Sequence, residues 1–355
     1  MDRNAKVRTG AVALAGTLLL AGCAGDGEDA APAARRAATV PAGGSAAELE
    51  QQYEKIVDAV LPSVVKIDTG QEEGSGVVYD GGGHIVTNAH VVAGAEEIEV
   101  TSASGGAPLK ADLVGAFAAD DLAVVKVPGG KLRPAAFDDS SKARVGQIVL
   151  AMGNPLGLSG SVTSGIVSAL NRTVSTREQG AFPGSTIAEA IQTSAPINPG
   201  NSGGALVTLS GKVIGVPTAA ASDPGMGGAA VGIGFATPSN TVRRIVPQLI
   251  ENGKVTQSGR AALGVVVRTI IDPQSGRESA VAVAEVTRGG GAAKAGIREG
   301  DLILSVNGTA TPSQTVLSTV LAGLKPGDTV KVQVQRPDGA KKQVDVTLGE
   351  LPDAG

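Results

Sequence analysis

Residues 198–206 read Asn198-Pro199-Gly200-Asn201-Ser202-Gly203-Gly204-Ala205-Leu206, a serine set among glycines and followed by a short apolar run. Glycines on both sides of a serine let the backbone turn sharply and let main-chain N–H groups point at a bound carbonyl, the geometry an oxyanion hole requires. The segment therefore offers a nucleophile and its electrostatic stabiliser together. The same string also suits an ordinary flexible turn, so the rest of the chain has to decide.

A serine hydroxyl needs a base to remove its proton, most often a histidine. The chain has 2 histidines. His90 ends the run Ile85-Val86-Thr87-Asn88-Ala89-His90, which reads as a β-branched strand, so it is fixed in position yet reachable from a cleft. His84 follows Gly81-Gly82-Gly83, where a solvated turn residue is expected. The third member is a carboxylate that orients the imidazole and stabilises its charged form. Asp120-Asp121-Leu122-Ala123-Val124-Val125 supplies it, with Asp121 adjoining the strand and Asp120 expected to be solvated.

The chain order His, Asp, Ser goes with the two-barrel chymotrypsin-like fold. Through Gly74-Ser75-Gly76-Val77-Val78, Thr87-Asn88-Ala89-His90-Val91-Val92, Asp121-Leu122-Ala123-Val124, Gly153-Asn154-Pro155-Leu156-Gly157, Val162-Thr163-Ser164-Gly165-Ile166-Val167-Ser168 and the Ser202 segment, the sequence resembles the HtrA (DegP-like) serine proteases. The resemblance implies His90 as general base, Asp121 as its orienting acid, Ser202 as nucleophile, and the N–H groups of Gly200 and Ser202 as oxyanion donors. It also implies a homotrimer. There are departures: Ser194 stands where the family commonly has aspartate, no long insertion lies between Gly70 and Gly83, and aromatic residues are 2% of the chain, leaving Tyr53 and Phe117 for the family's aromatic trimer contacts.

The single cysteine, Cys23, excludes an internal disulfide and a cysteine-based metal site; no metal and no cofactor are expected. Lys6 and Arg8 precede an apolar stretch, Ala11 to Leu20, followed by Leu20-Ala21-Gly22-Cys23, which has the regions of a secretory signal and looks like a bacterial lipobox with Cys23 as the lipidated residue; a plain signal peptide cut nearby is the alternative. The organisation expected is a lipoprotein signal at 1–22 and a flexible Ala/Gly/Pro-rich tether at 23–48. Lipidated cysteines of this kind carry several acyl chains, so the anchor to the bilayer is firm and the protein is placed outside the cytoplasm, on the bacterial cell membrane. A net charge of −4 gives no basic footprint for nucleic acid.

Leu49, Tyr53, Ile56, Val57, Val60 and Leu61 follow helical spacing until Pro62. Short β-rich runs then alternate with turn residues, while 171–190 and 219–230 read as polar loops of the kind that order on activation in the resembled family. Pro238 to Asn252 reads as a helix capped by Ser239. The segment Gly289 to Gly308 and the turn Leu324 to Val330 resemble a PDZ domain, in which Leu263-Gly264-Val265 fits the carboxylate-binding loop. The expected fold is mainly β: a chymotrypsin-like double β-barrel at 49–254, followed by an α+β PDZ domain at 258–350. No acidic residue lies in Thr193 to Asn201, and Val216, Pro217 and Thr218 are expected to line a substrate pocket for small or medium aliphatic side chains. The function this implies is an extracytoplasmic serine endoprotease cleaving misfolded or regulatory envelope proteins, its PDZ domain binding peptide C-termini or extended segments. The alternative is a peptide-binding chaperone or scaffold with a largely idle protease site.

Overall fold

Pro62 ends the first helix, and the β-structure begins two residues later, at Val64. The computed structural model describes residues 44–155, 160–176, 180–198, 200–223, 228–272 and 276–352. Helix α1 (Gly44–Val60) runs into a single 3-10 turn, Leu61–Ser63. The helix begins ahead of the expected tether boundary, so residues 44–48 are helical; Ser45-Ala46-Ala47-Glu48 contains good helix formers and no glycine or proline. Ile56 and Val60 bury the apolar stripe against Val64 and Val77 on one side and Leu150, Met152, Ala205 and Val207 on the other. The signal segment, Cys23 and the tether up to residue 43 lie outside the described residues.

Six strands form the first closed barrel in the order β1-β2-β3-β6-β5-β4: β1 (Val64–Asp68), β2 (Glu73–Val78), β3 (His84–Thr87), β4 (Ile98–Ser102), β5 (Leu109–Phe117) and β6 (Leu122–Lys126), with the one-turn helix α2 (Ala89–Val92) after β3. β-branched side chains, among them Val65, Ile67, Val78, Ile85, Val100 and Val125, fill its interior. Space at the centre is so limited that a Cβ on Gly76 would stand 2.5 Å from Ile85 Cγ2.

The second closed barrel, in the order β10-β11-β12-β9-β8-β7, comprises β7 (Ile148–Gly153), β8 (Ser161–Ser175), β9 (Thr186–Thr193), β10 (Ala205–Thr208), β11 (Val213–Asp223) and β12 (Gly228–Pro238). Two expectations are corrected here. The supposed loop 171–190 largely extends the β8–β9 pair, with Val174 opposite Ile187 and Ser175 opposite Thr186. The supposed loop 219–230 largely extends the β11–β12 pair, with Ala219 opposite Phe235 and Asp223 opposite Gly228. Backbone ladders hold these ends together, and in β8 most of the extension is exposed, so its polar composition carried no strand signal.

Helix α3 (Ser239–Asn252) closes the barrel pair. Val242, Ile245, Val246 and Leu249 meet Val86, Phe117, Leu122, Val124 and Val216 in one core between the barrels. Phe117 is buried at its centre and so is not available for contacts between subunits, contrary to expectation. Ser239 does not cap the helix: Pro238 occupies that position and the Ser239 hydroxyl donates to Asp138 O at 2.7 Å.

The C-terminal domain is α+β. It contains β13 (Ala261–Ala262), β14 (Val265–Ile271), β15 (Glu278–Val286), α4 (Gly291–Lys294), β16 (Leu302–Val306), β17 (Thr309–Ala310), α5 (Gln314–Ala322), β18 (Thr329–Gln335), β19 (Lys341–Thr347) and β20 (Gly349–Glu350). The main sheet runs β14-β15-β16-β18-β19, with β14 at its edge and α5 packed near it. Leu263, Val281, Ile303, Leu317, Val332 and Val346 form a core separate from those of the barrels. Residues 258–260 are tied to the last strand: Leu351 N donates to Arg260 O at 2.7 Å and Gly259 N to Glu350 Oε2 at 2.9 Å.

Since α3 holds the barrels together through fully buried aliphatic groups, Leu249→Ala should lower stability by about 2–5 kcal/mol, the range for large-to-small core changes. Chemical denaturation measures this; a midpoint equal to the wild type would show that the helix does not carry the inter-barrel core.

Candidate active site

Residue Thr87 of β3 pairs with Ala123 of β6, and this register sets the start of α2 beside the residue just ahead of β6. His90 stands in α2 and Asp121 at that second point. The Asp121 carboxylate is fully buried and accepts three hydrogen bonds: from His90 N at 3.0 Å, from the imidazole through His90 Nδ1 at 2.8 Å, and from the Thr218 hydroxyl at a short contact. Asn88 Nδ2 donates to the Asp121 carbonyl at 2.9 Å. A buried carboxylate accepting from Nδ1 fixes the proton there and leaves Nε2 as the acceptor, the tautomer a general base needs. The imidazole remains 21% exposed and meets the edge of Phe182 with ring centroids 5.8 Å apart.

Asp121 has φ 51°, a left-handed conformation at the end of the 3-10 turn Ala118–Asp120. That turn is anchored by Arg260, in the segment just ahead of β13. Arg260 Nη1 donates to Ala119 O at 2.5 Å and to Asp120 Oδ1 at 3.1 Å, while the Thr237 hydroxyl donates to Asp120 O at 3.2 Å. Asp120 is therefore not solvated but 2% exposed, and its Oδ2 has no hydrogen-bond partner among the described residues. Burial pushes its carboxyl above the usual range, against the pull of Arg260 and Arg244. Sequence could not show this, because the arginine that bonds it lies 140 residues further along the chain.

Ser202 sits in the turn before β10. Gly203, at φ 82°, approaches β2 so closely that a Cβ would stand 2.1 Å from Ser75 O. Ser202 O accepts from Ser75 N at 2.8 Å, and Gly203 N donates to Pro217 O at 2.9 Å. Among the described residues no hydrogen bond joins the Ser202 hydroxyl to His90; such contacts commonly tighten only around bound substrate. Gly200, at φ 96°, packs on Pro155. Ser194 accepts from Ile166 N at 3.0 Å through its hydroxyl.

His84 is partly buried rather than solvated, its Nδ1 within 2.8 Å and 3.0 Å of the two Asp80 oxygens and remote from the triad in its bonding. Of the residues expected to line the substrate pocket, Val216 is buried in the core between the barrels, Pro217 is buried beside it, and the Thr218 hydroxyl donates to Asp121. In the C-terminal domain Leu263, Gly264 and Val265 join β13 to the edge strand β14, with Gly264 at φ 77° and its carbonyl accepting from Thr287 N at 2.9 Å. Phe182, Arg260 and the Thr218 hydroxyl escaped the sequence reasoning, each because its role depends on a partner distant in the chain.

Removing Arg260 should leave the buried Asp120 carboxyl without its hydrogen-bonded partner and with the pull of Arg244 alone. We expect Arg260→Met to cost about 3–5 kcal/mol near neutral pH. The folded Asp120 carboxyl already lies above its unfolded value, so stability falls as pH rises from the ordinary carboxylate range toward the folded value. The deficit of the variant should shrink on acidification, and adding Asp120→Asn should recover most of it. A deficit independent of pH in thermal melts would count against this account.

A trypsin-like peptidase domain matches residues 74–216 and a PDZ domain matches residues 261–348. The chain is 39% identical over 316 residues to the serine protease PepD of Mycobacterium tuberculosis, covering 84% of this chain and 66% of that protein. It is 38% identical over 286 residues to a protein of Halomonas elongata named "Probable periplasmic serine endoprotease DegP-like", covering 79% of this chain and 57% of that one. The chain thus spans about two thirds or less of the length of these curated relatives. The solved structure of the HtrA-type protease AlgW with a decapeptide superposes with a TM-score of 0.56 at 32% identity, over 84% of this chain and 99% of that one. With two closed barrels, a histidine held on a buried aspartate, and a PDZ domain tied to the turn that carries that aspartate, the chain belongs to the HtrA (DegP-like) family of trypsin-fold serine proteases.

Proposed function

We propose that this chain is an extracytoplasmic serine endopeptidase acting on misfolded or regulatory envelope proteins. The observation that carries the reading is the buried Asp121 carboxylate holding His90 by both its backbone N–H and its Nδ1. In this reading His90 Nε2 takes the proton of Ser202 as its Oγ attacks the scissile carbonyl, and the N–H groups of Gly200 and Ser202 receive the oxyanion. His90 then passes the proton to the leaving amine, and a water activated by the same imidazole hydrolyses the acyl-enzyme. Asp121 stays ionised throughout and stabilises the imidazolium.

The protease domain is assigned to 49–254 and the PDZ domain to 258–350. An extended peptide would add to the free edge of β14 beside α5, its terminal carboxylate meeting the Leu263-Gly264-Val265 loop. Residues 193–201 contain no acid, so nothing in that run would neutralise a substrate lysine or arginine, and aliphatic side chains are the preferred ones at the cleaved bond. The periplasmic name of the Halomonas relative supports a place outside the cytoplasm. Leu20-Ala21-Gly22-Cys23 supports a signal at 1–22 and a lipid anchor at Cys23. A homotrimer is the assembly proposed, from the family resemblance.

Digestion of unfolded casein tests the chemistry. The wild type should cut, chiefly after Val, Ala, Ile or Leu, and a fluorophosphonate should label Ser202 stoichiometrically; Ser202→Ala or His90→Ala should lower turnover by several orders of magnitude. Binding of casein without cleavage or labelling would instead establish the chaperone reading, and a majority of cuts after Lys or Arg would refute the aliphatic preference.

Fractionation of cells tests the anchor. Cys23→Ser should move the protein from the detergent-extractable membrane fraction to the soluble one, because a lipid chain is the only attachment proposed. Unchanged membrane retention would refute lipidation at this residue.

A further inference from the structure

Ser75 lies in β2 of the first barrel, fully buried, and no step of the proposed chemistry uses it. Its contacts nevertheless converge on the nucleophile turn of the second barrel. Ser75 N donates to Ser202 O at 2.8 Å, and the Ser75 hydroxyl donates to Gly200 O at a short contact. The hydroxyl oxygen also accepts from Asn154 N at 2.8 Å, at the end of β7. Its carbonyl accepts from the Thr87 hydroxyl at 2.7 Å, three residues ahead of His90. Every polar group of the residue is therefore used, and none is used within its own strand.

The pattern has a geometric consequence. The carbonyl of Gly200 belongs to the peptide plane 200–201, and that of Ser202 to the plane 202–203. Between them lies the plane 201–202, which carries the Ser202 N–H and whose carbonyl accepts from Gly204 N at 3.0 Å. Gly200 and Gly203 flank this stretch at φ 96° and 82°, and glycine by itself leaves adjoining planes free to rotate. Ser75 holds the planes on both sides of the one that carries the Ser202 N–H. We infer that Ser75 is a positioning residue that fixes the direction of the Ser202 N–H, an oxyanion-hole donor, from the opposite barrel. The inference rests on the assignment of the Ser202 N–H as an oxyanion donor.

Electrostatic stabilisation of this kind depends on donors already aimed at the developing charge, and losing one oxyanion donor costs about 100- to 1000-fold in turnover. Loss of the Ser75 hydroxyl misaims the Ser202 N–H without deleting it, so the effect should be smaller. In the full chain, Ser75→Ala should lower kcat about 10- to 100-fold on a short peptide substrate with KM within about twofold. The affinity for a peptide boronate, whose tetrahedral adduct places an oxygen in the hole, should fall by the same factor, whereas that for the matching product peptide should not change. Ser75→Cys, which keeps the size and a weaker donor, should lie between.

Wild-type turnover below detection would refute the protease assignment itself, independently of Ser75. With an active wild type, a folded variant that keeps kcat within about threefold overturns the inference. So does an equal loss of boronate and product-peptide affinity, which would make the role a general structural one. Failure of both variants to fold, read from thermal melts, would make Ser75 a folding residue and overturn it equally.

Discussion

One buried negative charge organises the centre of this molecule. The Asp121 carboxylate is removed from water, and a carboxylate in that position is tolerated only where donors replace its hydration. The donors come from both barrels: His90 from the helix after β3, Thr218 from β11. Satisfying the charge therefore requires the barrels to meet in one register. The aliphatic core of α3, β6 and β11 drives the barrels together without selecting an orientation, since burial of apolar surface is non-directional. The hydrogen bonds to Asp121 select it.

Ser75 and Thr87 extend the same logic to the Ser202 turn. Hydrogen bonds pass from the Thr87 hydroxyl to Ser75 O, and from Ser75 to the carbonyls of Gly200 and Ser202. The strand that presents His90 is thus linked through two residues to the turn that presents Ser202. Neither barrel holds a complete site. Glycine at 203 makes the close approach possible, because a side chain there would collide with Ser75 O and with the Thr87 hydroxyl.

The barrels and the candidate residues His90, Asp121 and Ser202 are legible in the sequence because their signals are local. β-branched runs between turn residues mark strands, and the Gly200 to Gly204 segment marks a tight turn wherever it occurs. Signals failed where the stabilising partner was distant. Asp120 reads as a solvated loop acid because Arg260, which bonds it, is distant in the chain, and the Thr218 hydroxyl gives no local sign that it donates to Asp121. The extended ends of β8 and β9 were misread for a related reason: their strand state comes from ladder hydrogen bonds along polar residues, and composition records burial rather than pairing.

Asp120 and Asp121 are adjacent, yet their environments are opposite. Asp121 has three donors for its carboxylate, whereas Asp120 has one hydrogen-bonded cation and an oxygen without a described partner, so burial raises its carboxyl. The left-handed backbone at Asp121 separates them, sending one side chain to the imidazole and the other to Arg260. A single 3-10 turn consequently carries both the aspartate that holds His90 and the anchor of the segment that leads into the PDZ domain. Arg260 also binds the Ala119 carbonyl, so it grips the backbone of that turn and not only a side chain. A shift of Arg260 must therefore be taken up either by the ion pair or by the dihedral angles next to Asp121. The ion pair is the softer of the two, because a long arginine can follow a small movement while a left-handed aspartate has little room to adjust.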